Sequence, residues 1–278
     1  MKFDIDSYLS TVAPLDDDDI DYDAFIDQPL DDDTLRCLRY MHDVEHHTTC
    51  YLRDLLVTSA HDDPEVTSFL AMWAYEEFWH GEAIGRVLER HDEAAGRMRI
   101  EATRRRVGRD RIRTLGFIAA SSITDHIVAI SMTWGAINEW TTQAGYLRLA
   151  DTAGHAALAR LLRRIARQEG RHIDFYAAQA EQRLADRGAQ RMTRLALRHK
   201  WQPVGSNVMP AEETDHLVRH LFDGEDGRLM AARIDRRIHR LPGLDGLGLV
   251  DAVRSSTLGT AGSVSPRARH TPSQLVTV

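Results

Sequence analysis

Residues 66–88, VTSFLAMWAYEEFWHGEAIGRVL, place Val66, Phe69, Trp73, Glu77, His80, Ile84 and Leu88 at steps of three and four. That spacing is one face of an α-helix turned towards a core. Glu77 and His80 stand on this face where leucine is expected. A carboxylate there is costly unless it is paired, protonated or bound to a cation. Three residues rise ~4.5 Å and turn about 300°, so Glu77 and His80 can reach one ion.

Working outward, three more stripes show the same anomaly. Leu38, Met41, Glu45, Thr48, Leu52 and Leu55 form one, within a helix expected from about Thr34 to Ala60. Met132, Gly135, Ala136, Glu139, Thr142 and Tyr146 form another, in a long apolar stretch over about Leu115 to Ala150 with at most one break. Leu161, Leu162, Ile165, Glu169, His172 and Tyr176 form the last, on a helix from about Ala156 to Ala185. The order is Glu45, Glu77-x-x-His80, Glu139, Glu169-x-x-His172. On the inner faces of a four-helix bundle these supply four carboxylates and two imidazoles to one point. That is the donor arithmetic of a carboxylate-bridged dinuclear iron or manganese site. Zinc, which favours a single tetrahedral set, fits it poorly. For these to be ordinary solvated carboxylates, all four stripes would have to be misread alike. His46 and His47 adjoin Glu45 but face elsewhere and read as packing or surface residues.

The rest of the chain sets the frame. No segment alternates with period two, proline is absent between Pro64 and Pro203, and the expected class is all-α with additional C-terminal helices over about Ala211–Phe222 and Arg228–His239. Residues 1–33 hold twelve Asp and one Lys, a net of −11, which leaves +4 on the remainder of a chain of net charge −7. A like-charge run of this kind reads as a solvated, mobile arm, with Asp33 placed to cap the first helix. Residues 34–254 read as the helical domain, and 255–278, rich in Ser, Thr, Gly and Pro, as a flexible tail. Asp125 reads as a channel residue, a helix start or an exposed acid. Cys37 and Cys50 on one helix would stand roughly 20 Å apart, too far for a disulfide. No run approaches the ~18 apolar residues of a membrane span, and the start lacks a secretory pattern, so a reduced cytoplasmic protein is expected. Residues 95–115 carry eight Arg against Glu101 and Asp110, a net of +6. This is an electrostatic footprint for an acidic partner. Nucleic acid is a poor fit, because no binding motif accompanies the charge.

These motifs resemble the soluble acyl-acyl carrier protein desaturases, a branch of the ferritin-like superfamily. Trp73-Ala-Tyr-Glu76-Glu77-Phe78-Trp79-His80-Gly81-Glu82 is similar to that family's Trp-x-x-Glu-Glu-Asn-Arg-His-Gly-Asp. Gln168-Glu169-Gly170-Arg171-His172 resembles its Asp-Glu-Lys-Arg-His, with Tyr176 following. Glu139-Trp140-Thr141-Thr142 is similar to its Glu-Arg-Ala-Thr, and Leu241-Pro242-Gly243-Leu244 to a C-terminal Leu-Thr-Gly-Leu. The likeness runs from about residue 34 to 254, firm at the four stripes and thin between them. Three features depart from the pattern. Phe78 and Trp79 replace Asn-Arg, Gln168 replaces Asp, and the Arg-rich stretch and third helix are arranged differently.

The resemblance implies a ferritin-like bundle with two irons cycling between Fe2+ and Fe3+, manganese being possible, ligated by Glu45, Glu77, His80, Glu139, Glu169 and His172. It implies removal of two hydrogens from a carrier-bound acyl chain in lipid biosynthesis, with dioxygen and electrons from a ferredoxin-like donor. Thr142 is the candidate for proton delivery. Glu76, Gln168 and Trp73 are expected around the ligands, with Glu76 supporting His172. Arg104, Arg105 and Arg106 are the candidates for docking acyl carrier protein, and a homodimer is expected. A hydroxylating di-iron oxygenase and an iron-storage protein are the rivals on the same scaffold. A plain structural bundle would bind no metal.

Overall fold

The computed structural model describes residues 3–107, 110–124 and 126–259. Among them every regular element is helical: α1 (Ile5–Thr11), α2 (Ala24–Asp27), α3 (Asp32–Glu45), α4 (Thr48–Leu56), a 3-10 turn (Ser59–Asp62), α5 (Pro64–Glu89), α6 (Gly96–Arg106), α7 (Asp110–Ile123), α8 (Ile127–Thr152), α9 (Ala156–Arg183), α10 (Arg187–Lys200), α11 (Ala211–Phe222), α12 (Gly224–Arg240) and α13 (Leu249–Gly259). None of these helices is long and apolar enough to cross a membrane.

Short acidic side chains start the long helices. Asp63 accepts from the amides of Glu65 and Val66 at 3.0 and 3.2 Å, and Pro64 occupies the first turn of α5, where no amide is needed. For α3 the cap is Asp31, which takes the Thr34 amide at 2.8 Å, and not Asp33, which lies inside the first turn. There its charge still favours the helix dipole.

The helix expected from Thr34 to Ala60 is broken. α3 stops at Glu45, and the His46 and His47 amides bond back to His42 and Val44 before Thr48 restarts the chain as α4. Both imidazoles are buried at this bend. Glu45 therefore ends a helix, and Cys37 and Cys50 lie on different ones, which removes the premise of the 20 Å spacing; no disulfide joins them. The long third stripe is likewise divided into α7 and α8, and Asp125 lies outside the described residues. α10 was not legible as a separate helix, and α13 extends to Gly259 through the start of the expected tail. Residues 260–278 lie outside the described residues.

α8 packs along α9, α3 against α5, and α5 against α9, while α11 and α12 cover α3 and α8. Phe69 of α5 stacks on Phe175 of α9 with centroids 3.7 Å apart. Gly135 lets α8 approach Tyr176, since a Cβ there would lie 2.5 Å from the ring.

Residues 3–33 do not form the solvated arm that their charge suggests. Tyr8, Leu15, Ile20, Phe25 and Leu30 are buried in the same core as the long helices. Phe25 stacks on His155 at 4.4 Å. The acids meet the positive body: Asp17 bonds Arg86 at 2.6 Å, Asp19 takes two bonds from Arg164, and Asp23 pairs with Arg90 at 3.2 Å. The apolar anchors are spaced without helical period, so a pattern search passes over them, while Asp17, Asp19 and Asp23 between them face arginines. Each buried anchor contributes roughly 1.5–3 kcal/mol. Removing residues 1–30 is accordingly expected to lower the melting temperature by more than about 5 °C. A truncated chain that melts with the full chain in a circular dichroism scan would contradict this packing.

Candidate metal centre

α3, α5, α8 and α9 bring Glu45, Glu77, His80, Glu139, Glu169 and His172 to one buried point. Their donor atoms form two overlapping sets. Glu45, Glu77, His80 and Glu169 make one, and Glu77, Glu139, Glu169 and His172 the other, with the atoms of each set within 4.8 Å of one another. Glu77 and Glu169 belong to both. His80 Nδ1 lies 3.4 Å from Glu77 and 3.3 Å from Glu169; His172 Nδ1 lies 3.1 and 2.8 Å from the same two carboxylates. The i, i+3 spacing of each Glu-x-x-His thus delivers one carboxylate to the middle and one imidazole to the flank.

The outer nitrogens are held with matching geometry. His80 Nε2 lies 2.9 Å from Gln168 Oε1, and His172 Nε2 lies 2.9 Å from Glu76 Oε2. In each case the neighbour of a central glutamate orients the histidine of the opposite helix. An acceptor at Nε2 keeps a proton there, so that Nδ1, once deprotonated, would offer its lone pair inward to an ion. Gln168 in turn donates to the Ala13 carbonyl at 3.4 Å, and Glu76 also accepts from Tyr8 at 2.9 Å and pairs with Arg171. Trp73 Nε1 donates to Glu139 at 3.1 Å, and the Tyr146 hydroxyl donates to Glu45. No spacing in the sequence marks Tyr8 or Arg171 for this role, and Tyr8 lies in a segment whose charge suggests a mobile arm. Tyr146 carried a signal, since it follows Glu139 on the same stripe.

Burial and proximity set the protonation of the six. Burial, with the charge of Glu77 beside it, pushes Glu45 well above the usual carboxylate range, and burial with Glu169 and Glu77 does the same to Glu139. For Glu77, burial is outweighed by hydrogen bonds from Glu45, His172 and His80, which hold it well below that range. Glu169 is also lowered, because bonds from the two histidines overcome burial and the nearby Glu77. Desolvation lowers both histidines, but the carboxylates of Glu169 and Glu77, joined at His172 by Glu76, together outweigh it, so His80 rises to about 9 and His172 well above its ordinary value. Without cations, these shifts favour the neutral forms of Glu45 and Glu139, the ionised forms of Glu77 and Glu169 and the charged forms of His80 and His172. Two divalent cations against four carboxylates and two neutral imidazoles would be neutral.

The donor set fits metal ions. His80 Nδ1 and Glu169 Oε1 are fully buried and face each other across 3.3 Å without the geometry of a hydrogen bond, a costly arrangement that a cation would relieve. Three carboxylates and one imidazole per set suit oxygen-preferring divalent ions such as iron or manganese.

A cavity of about 820 Å³ opens on one side of the cluster. Glu45, Glu77, Glu139 and Thr142 line it, together with Leu55, Phe117, Ile127, Ile130, Trp134 and Tyr176, while Lys200 and Asn207 lie in its wall. His46 and His47 stand outside both donor sets. Burial and the neighbouring His42 push His46 down to about 3, so it packs as a neutral ring against Phe78. Arg104, Arg105 and Arg106 are exposed on α6 and take no part in the cluster. Neither a scan against protein-family models nor a search of curated proteins found a match to this chain.

Proposed function

We propose that the chain is an oxygen-dependent, non-haem di-iron oxidoreductase in which α3, α5, α8 and α9 form a ferritin-like four-helix bundle, and that it desaturates an acyl chain carried by an acyl carrier protein. The observation that supports this reading best is the large cavity, walled mainly by apolar and aromatic side chains, that opens on Glu45, Glu77 and Glu139. An iron-storage centre has no use for such a wall. A long hydrocarbon substrate does.

Glu45, Glu77, His80, Glu139, Glu169 and His172 would hold two irons, with manganese admissible on the same donors. Bound iron would supply dioxygen activation, with two electrons from an external ferredoxin-like donor and two protons from solvent, so that the chain loses two hydrogens and dioxygen leaves as two waters. The protein's own part is positioning and exclusion. Leu55, Ile127, Ile130 and Trp134 would hold the chain and keep out water, while Trp73 and Tyr146 orient Glu139 and Glu45 by their hydrogen bonds. Thr142 lines the same cavity as Glu45 and Glu139 and would hold a proton at its hydroxyl oxygen.

Arg104, Arg105 and Arg106 offer a docking face for an acidic carrier. The charge available is smaller than the sequence total. Arg99 is neutralised by Asp43 at 2.6 and 2.9 Å, Arg97 pairs with Glu101 at 3.2 Å, and Arg106 also reaches the Val208 carbonyl. The side chains of Arg109, Arg111 and Arg113 lie outside the described residues. Replacing Arg104, Arg105 and Arg106 together by Ala is expected to raise KM for a carrier-bound substrate by about tenfold, more strongly at low salt. An unchanged KM would sink the docking assignment.

To test the function, the purified protein is loaded with ferrous iron and given electrons, oxygen and a panel of acyl carrier substrates. Mass spectrometry should show products lacking two hydrogens. Gain of one oxygen would favour a hydroxylase, and a cage with no organic product would favour storage. Sizing chromatography should show a dimer.

A further inference from the structure

A second set of metal donors lies where α11 crosses α3. Cys37 of α3 is fully buried, and His216 and His220 are half-buried on α11; their donor atoms lie within 4.8 Å of one another. No residue of this set belongs to the carboxylate cluster, and Cys37 precedes Glu45 by eight residues on the same helix, about 12 Å along its axis. We propose that Cys37, His216 and His220, with Asp33 closing the set, bind a single zinc ion that fastens α11 to α3.

Three features of the crossing argue for a built site. His216 and His220 are four residues apart on one helix face, their rings lie 5.8 Å apart, and a nitrogen of each lies within 4.8 Å of the other and of the Cys37 sulfur. Arg36, next to Cys37, makes a two-pronged bond to Glu213 at 2.7 and 3.0 Å, which sets α11 in register one turn before His216. Asp33 stands one turn before Cys37, and its Oδ1 lies 3.8 Å from His216 Nε2. That carboxylate is exposed, and a rotation of its side chain would be needed for it to join the three donors as a fourth.

Chemistry separates the two sites. One sulfur, two nitrogens and one carboxylate oxygen form a tetrahedral zinc set, whereas the oxygen-rich cluster suits iron or manganese. On binding, the Cys37 S–H bond breaks, the sulfur–metal bond forms and the proton leaves to solvent; no electron moves.

Cobalt(II) is the probe, added to the full chain kept reduced. Because the carboxylate cluster contains no sulfur, a thiolate-to-cobalt charge-transfer band reports this site alone. The band should appear in the wild-type protein, persist in Cys50→Ser, vanish in Cys37→Ser and collapse when zinc is added. The paired change His216→Gln and His220→Gln, at half-buried positions, should weaken zinc binding by more than about a hundredfold while circular dichroism stays unchanged. Absence of the band from folded wild-type protein, or its survival in Cys37→Ser, would overturn the proposal. Either result would leave the reading of the carboxylate cluster standing.

Discussion

Replacing Glu77 by Ala should strip both ions from the carboxylate centre, whereas replacing Glu45 or Glu139 should strip one. The asymmetry follows from the overlap of the two donor sets: Glu77 and Glu169 serve both, Glu45 only the set containing His80, and Glu139 only the set containing His172. A central carboxylate lies between two imidazoles and screens two like charges from each other, so its loss weakens both sites together. His172→Ala should lower metal content and abolish turnover in the same way. Turnover should fall by at least a thousandfold in Glu77→Ala, a barrier increase of about 4 kcal/mol. Glu77→Gln keeps the shape and answers the objection that the Ala variant merely misfolds. Elemental analysis per folded chain reads the outcome. Equal iron content in the Glu77, Glu45 and Glu139 variants would break the assignment of central and flanking roles.

Loading the centre should release protons near neutral pH, up to four per chain. Without cations, burial favours the neutral forms of Glu45 and Glu139, and the surrounding glutamates favour the charged forms of His80 and His172. Two divalent ions would displace the protons held there, exchanging one set of positive charges for another and so limiting the desolvation cost. Metal affinity should consequently rise steeply with pH up to about 9, where His80 loses its proton unaided. The metal-free protein carries the opposite slope. His80 has its pKa raised from 6.5 to about 9 on folding, so its contribution to stability is complete below 6.5 and is lost as pH rises through 9. Its melting temperature should decline across that window, while the metal-loaded protein, whose His80 is neutral, lacks that decline. Titration calorimetry in buffers of different ionisation enthalpy counts the protons. A count below two, or an affinity indifferent to pH, would contradict the exchange.

How legible this centre was in the sequence depended on the residue. The six donors were readable because each breaks an apolar stripe of period 3.6, and because helix geometry ties i to i+3 whatever packs against it. Glu76 and Gln168 were also accessible: a residue adjoining a central glutamate points roughly 100° away from it, towards the neighbouring helix. Tyr8 and Arg171 were not, since their meeting at Glu76 depends on how residues 3–33 lie across α5 and α9. The charge of that segment argued for solvent, and only its buried Tyr8, Phe25 and Leu30 show why it folds back. The break after Glu45 is hidden for a related reason. Thr48, Leu52 and Leu55 continue the helical period, so the pattern passes through the bend at which His46 and His47 are buried.

The most direct test of the account is iron-edge X-ray absorption on protein loaded anaerobically with ferrous iron. Six side chains arranged as two sets sharing Glu77 and Glu169 predict two irons per chain in oxygen- and nitrogen-rich surroundings, with a metal–metal separation of about 3.5–4 Å. Isolated iron with no neighbouring metal, or fully loaded iron in Glu77→Ala, would contradict it.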